Sequence, residues 1–160
     1  MHRAPSSPSS PRTAGKAWSS TLATASEFFN NSSSEPPHSG SYDAWMNGWG
    51  RTDTDTLAQA ATIPSTCKNA TLTFWLHIDT AETTTTTKYD TLKLQILNSS
   101  GTVLSTPGNW SNLDHKTGYT QWSVNLAAYI GQTITVKFTG SEDNEYQTSF
   151  VLDDTALNVS

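Results

Sequence analysis

The amino-acid sequence predicts an all-β fold, a two-sheet antiparallel β-sandwich (jelly roll), on three observations. Apolar side chains recur at every second position in run after run, which is the period of a strand with one buried face. Turn signals separate those runs: Pro64-Ser65, Asn98-Ser99-Ser100-Gly101 and Gly131-Gln132. Hydrophobic residues make up only 34% and charged residues only 14%, with Thr, Ser and Asn filling the difference. Thr fits a pleated, half-exposed surface, so this mixture suits sheets with one wet face. No segment keeps a helical period beyond two turns.

Taken in order, residues 1–16 (MHRAPSSPSSPRTAGK) are rich in Pro and Ser and hold no aromatic side chain. They cannot bury enough to fold, which predicts a disordered linker or appended sequence. Residues 17–160 are then one sandwich domain. As far as Pro37 the anchors are Trp18, Phe28 and Phe29, predicting one short strand or irregular packing. Strands follow at 41–46 and 56–63. In 71–78, Leu72, Phe74, Leu76 and Ile78 form the inward set. Leu92, Leu94 and Ile96 do so in 90–97, and a short hairpin partner is expected at 102–106. Trp122, Val124 and Leu126 alternate in 119–126, and Ile134, Val136 and Phe138 in 133–139. Phe150 and Leu152 open the last run at 148–153, with Leu157 and Val159 closing the chain.

Several function classes are excluded early. The formal net charge is -5 and the nine basic residues are scattered, whereas a nucleic-acid partner needs clustered Lys and Arg. No run approaches the ~20 apolar residues of a membrane span. Met1 to Ala17 lacks the apolar centre of a signal peptide, so secretion implies a signal upstream in a longer parent chain. Cys67 is the sole cysteine; it reads as a small half-buried turn residue rather than a nucleophile.

If successive strands alternate in direction, loops 47–55, 79–90, 107–118 and 140–147 gather at one end of the sandwich. Nine of the fourteen acids fall there, opposed only by Arg51, Lys88 and Lys116. Crowded carboxylates oppose one another unless neutralised. Calcium takes six to eight oxygens and would do so, and the expected ligands are Asp79, Glu82, Asp90 and Asp143; solvated surface acids are the alternative. Zinc is excluded by the dispersal of His2, His38, His77 and His115 and by the lack of a Cys pair.

Of the tryptophans, Trp75 and Trp122 lie in strands and are expected in the core or between the sheets, and Trp45 is expected to pack. Trp49 and Trp110 fall in the loops of the acidic end, where an exposed ring could stack on a sugar. No phosphate loop or nucleophile elbow occurs. Asp153 and Asp154 are neighbours on a strand and so should point to opposite faces. Catalysis by loop carboxylates, as in a glycosidase, is the weakest reading.

The segments His38–Trp45, Asp53–Gln59, Phe74–Thr83, Tyr89–Leu92, Leu126–Val136 and Ser149–Leu157 together resemble a bacterial module. It is similar to the C-terminal jelly-roll modules of secreted sedolisin/kumamolisin-like peptidases and related hydrolases, and more distantly to MAM-like and carbohydrate-binding jelly rolls. The resemblance covers about residues 36–160. It implies a non-catalytic appendage of a secreted parent hydrolase, often with structural calcium; the chain is expected to be a monomer. Such modules usually open with a Gly-Phe-Glu-type segment whose Glu helps hold calcium beside the last-strand Asp. Thr13 to Lys16 precede Trp18 without it, which weakens a metal role for Asp153. The expected function is binding or targeting to an extracellular polymer, glycan or protein. The alternative is a structural cap that stabilises its parent protease without any ligand.

Overall fold

The computed structural model describes Ser19–Ser20 and residues 29–160; the linker expected at 1–16 lies outside the described residues. The described residues form ten strands: β1 (Ser19–Ser20), β2 (Phe29–Asn30), β3 (Asp43–Asn47), β4 (Asp53–Thr62), β5 (Ala70–Thr80), β6 (Thr91–Asn98), β7 (Val103–Ser111), β8 (Lys116–Asn125), β9 (Thr133–Glu142) and β10 (Thr148–Val159). They form two five-stranded antiparallel sheets, ordered β1-β4-β9-β6-β7 and β2-β3-β10-β5-β8. The predicted all-β sandwich is thus the observed fold. Helix among the described residues is confined to single 3-10 turns at Asn112–Asp114 and Ala127–Tyr129.

The period-2 reading places the core correctly where strands are central. Leu72, Phe74, Leu76, Ile78, Leu92, Leu94, Ile96, Ile134, Val136, Phe138, Phe150, Leu152 and Leu157 all turn inward and are buried. Phe74 meets Phe138 across the sandwich at 5.2 Å between ring centroids, edge to face, a favoured aromatic geometry. Strand alternation also holds, so the loops between β3 and β4, β5 and β6, β7 and β8, and β9 and β10 share one end.

Three tryptophan expectations are corrected. The 102–106 strand runs on to Ser111, so Trp110 is not in a loop. It pairs with Leu92, turns inward, and is only 7% exposed. Pro107-Gly108 reads as a turn, but β7 is an edge strand whose pairing with β6 shifts register beside that dipeptide, and an edge tolerates Pro. Gly108 has a specific role there, since a Cβ at that position would lie 2.2 Å from the Trp110 ring. Trp122, expected in the core, is 40% exposed, because β8 is the other sheet's edge. Its ring closes edge-on against Trp110 at 5.2 Å. Trp75 lies half-buried on the outer face of its sheet, covered by the stacked His38 ring at 3.9 Å.

That cover is a segment the sequence left undefined. After β2 pairs with β3, residues 31–42 cross the outer face of the second sheet. Tyr119 donates its hydroxyl to the Pro36 carbonyl (2.9 Å) and His77 stands 3.5 Å from Glu35. Val151 faces outward between Trp45 and His77, yet is fully buried. The Asp153-Asp154 expectation fails here as well. Register shifts after Asp153 and Asp154 sits at φ 47, a bulge that turns both carboxylates toward one covering segment. Asp153 accepts from the Ser39 amide, while Asp154 takes the Ser39 hydroxyl and His38 Nδ1.

Candidate ligand-binding site

The acids predicted at one end are there, and most have a local purpose. Loops lack ladder partners, so their backbone N–H groups need other acceptors. Glu142, at the end of β9, accepts the amides of Trp49 (3.0 Å), Gly50 (2.9 Å) and Thr148 (3.0 Å). Asp90 accepts the Asp143 amide at 2.8 Å and the Thr148 hydroxyl. Asp55 accepts the Asn47 amide at 2.7 Å, and Asp114 closes a capping box with Ser111. The carboxylates therefore tie neighbouring loops together. Burial still raises the Glu142 and Asp55 carboxyls above their usual range, against the pull of these amide donors.

The four residues nominated for calcium divide. Glu82, Asp90 and Asp143 are neighbours, the Glu82 carboxyl being raised by desolvation and then by Asp90, Asp143 and Glu145. Asp79 lies apart, exposed on the outer face of the sheet, where Gln147 donates to it at 3.3 Å. Among the described residues no three His, Cys, Asp or Glu side chains converge as a metal set.

Trp49 lies where the sequence places it, exposed on the first loop of this end. The Arg51 guanidinium sits 5.2 Å over its ring, a cation–π contact that restrains the indole. Two residues not singled out in the sequence join it: Tyr146 in the β9–β10 loop and Tyr89 in the β5–β6 loop. All three rings are about half exposed, at 46%, 52% and 48% for Trp49, Tyr146 and Tyr89. Their loops adjoin. A Cβ on Gly50 would meet the Glu145 carbonyl at 3.2 Å, and Asp90, next to Tyr89, binds the Asp143 amide. The tyrosines were legible only as loop aromatics; their exposure depends on Asp90 and Glu142 holding those loops upright.

A second surface is an open cleft of about 870 Å³ beside the covering segment, lined by Pro36–His38, His77, Asp79 and 115–119. Three of the four histidines line it. Their Nδ1 atoms are engaged by Asp154, the Gly118 carbonyl and the Asn112 carbonyl respectively.

No protein-family model matches the chain, and no curated protein matches it. Solved structures share its fold. It is similar to the carbohydrate-binding module TmCBM61, solved in complex with β-1,4-galactotriose, with a TM-score of 0.61 and 14% identity over 89% of this chain and 88% of that one. A cleaved adhesin domain of Lys-gingipain from Porphyromonas gingivalis aligns with a TM-score of 0.57 at 14% identity, covering 89% and 90%. The enzymatically active domain of a tailspike protein of bacteriophage CBA120 aligns at 0.52 and 8% identity, over 82% of this chain but 17% of that one. At these identities the likeness is one of fold. Among the described residues no helix is long and apolar enough to cross a membrane.

Proposed function

We propose that this chain is a non-catalytic glycan-binding module, an appendage holding a secreted, sedolisin-like or related parent hydrolase near an extracellular polymer. The observation that carries the reading is the placement of Trp49, Tyr89 and Tyr146. Three half-exposed rings occupy three adjoining loops at one end of a sandwich, and a sandwich of this fold is known in complex with a galactotriose. Flat aromatic faces match the apolar faces of sugar rings, and the surrounding Asp, Glu and Gln side chains offer acceptors for hydroxyl groups. Trp110, buried in β7, has no part in it.

The test is retention on insoluble glycans and affinity electrophoresis in soluble ones, for the wild type, Trp49→Ala, Tyr146→Ala and the double variant. Each single variant should weaken retention by roughly three- to tenfold, the ~0.5–1.5 kcal/mol of one aromatic contact, with melting temperature unchanged. Loss on His115→Ala instead would move the ligand to the cleft. Wild-type protein that is retained on no polymer would favour the ligand-free structural cap.

A further inference from the structure

Six carboxyl side chains of the described residues are buried: Glu35, Asp43, Asp55, Asp90, Glu142 and Asp153. Among the described residues no Lys or Arg forms an ion pair; the two pairs present are His38–Asp154 and His77–Glu35. Buried charge without a counter-charge or a full set of hydrogen bonds is costly, so each group must find hydrogen bonds, a proton or a cation. Asp90, Glu142 and Asp153 find donors on the protein.

Asp55 does not. It points into the top of the core from β4, opposite Gly140. Its Oδ2 takes the Asn47 amide, and its Oδ1 is buried with no partner. Asn47 reaches across from the other sheet and is itself buried, with its Oδ1 likewise unpartnered. Its Nδ2 has only long approaches, 3.4 Å to Asp53 Oδ2 and 3.5 Å to the Gly140 carbonyl. Turning the amide over would aim its oxygen at those two acceptors instead, an arrangement with no donor at all. Asp53, two residues from Asp55 on the same face of β4, brings its carboxyl within hydrogen-bonding reach of Asp55 and is only half-buried. Asn47 is held at φ 59, and Gly140 is required beside it, because a Cβ there would fall 2.0 Å from Asn47 Oδ1.

We propose that Asn47, Asp53 and Asp55 form a binding site for one hard divalent cation, calcium by its chemistry, at the loop end of the core. The donors are two carboxylates and an amide oxygen, with the Gly140 carbonyl alongside. All are hard oxygens, in a number that suits calcium completed by water. Neither orientation of the Asn47 amide satisfies this group; with its oxygen turned toward Asp53 and the Gly140 carbonyl, Asn47 would join them as a cation donor. Half-buried Asp53 provides the route in from solvent. The site clamps Asn47, the residue from which the Trp49 loop departs, so occupancy would stiffen that loop whatever ligand Trp49 meets. The proposal differs from a site in the loops at Glu82, Asp90 and Asp143, and it stands independently of glycan binding.

The experiment strips the protein with EDTA. It then measures melting temperature with calcium, magnesium or EDTA, and terbium luminescence sensitised by nearby tryptophan with displacement by calcium. The variants are Asp53→Asn, Asp55→Asn and Glu82→Gln. Calcium at a hundred times its dissociation constant should raise the wild-type melting temperature by about 5–10 °C, and Glu82→Gln should keep that shift. Half-exposed Asp53→Asn, which should fold in any case, should weaken terbium binding at least tenfold, and Asp55→Asn should abolish it. No calcium-dependent shift in the wild type would overturn the proposal. So would loss of the shift in Glu82→Gln with retention in Asp53→Asn, which would put the ion in the loops.

Discussion

Replacing Trp110 by Ala tests the corrected reading of β7 most directly. The ring is 93% buried, being 7% exposed, and touches Phe74 edge-on at 5.8 Å as well as Trp122 at 5.2 Å. A buried Trp covers on the order of 200 Å², which at ~25 cal/mol per Å² gives ~5 kcal/mol of transfer free energy. Partial collapse of the site makes ~3–5 kcal/mol the realistic cost. Trp122 keeps 40% of its surface in water, so Trp122→Ala should cost about two-thirds as much, ~2–3 kcal/mol by the same area scaling. The two rings touch, so their costs should not add: a double-mutant cycle should return ~0.5–1.5 kcal/mol of coupling. Urea unfolding followed by far-ultraviolet circular dichroism measures all three variants without relying on the fluorescence that the substitutions remove. A Trp110→Ala cost below ~1 kcal/mol, or a Trp122→Ala cost equal to it, would refute the assignment of Trp110 to the core.

Two further outcomes follow from the same packing. Burial, with Asp153 and Glu35 nearby, lifts the Asp43 carboxyl to about 7 against the hydrogen bond from Asn30. A folded value above the ordinary 3.8 means that this group's stabilisation is complete at low pH and is lost as pH rises through about 7. Asp43→Asn, which keeps an acceptor for Asn30, should therefore flatten the fall in melting temperature between pH 5 and pH 8; an unchanged pH profile would show that Asp43 is not the titrating group. Gly108→Ala places a methyl group 2.2 Å from the Trp110 ring and should cost ~1–3 kcal/mol by overpacking, whereas in the Trp110→Ala background the same change should be nearly neutral.

The sheet interior was legible in the sequence because a strand's side chains alternate strictly, so Leu72, Phe74, Leu76 and Ile78 must share a face wherever β5 goes. The same rule, with strand parity, gathers the acids and Trp49 at one end. It failed where position within a sheet matters more than period. Trp110 and Trp122 occupy edge strands facing one another at the mouth of the sandwich, and nothing local says which ring closes it. It failed again at Asp153 and Asp154, where a bulge breaks the alternation.

What the sequence determined by itself, then, is the fold class, the inward faces of the central strands and the end at which the loops meet. Those depend on spacing and turn chemistry along the chain. Only the tertiary structure decided that residues 31–42 cover an outer face, that the loops of Tyr89 and Tyr146 adjoin that end's Trp49 loop, and that Asn47 from one sheet meets Asp53 and Asp55 from the other. Such meetings join residues up to 116 positions apart, as His38 and Asp154 are. They are set by which strands become neighbours, a choice made by packing the whole core at once and carried by no single segment.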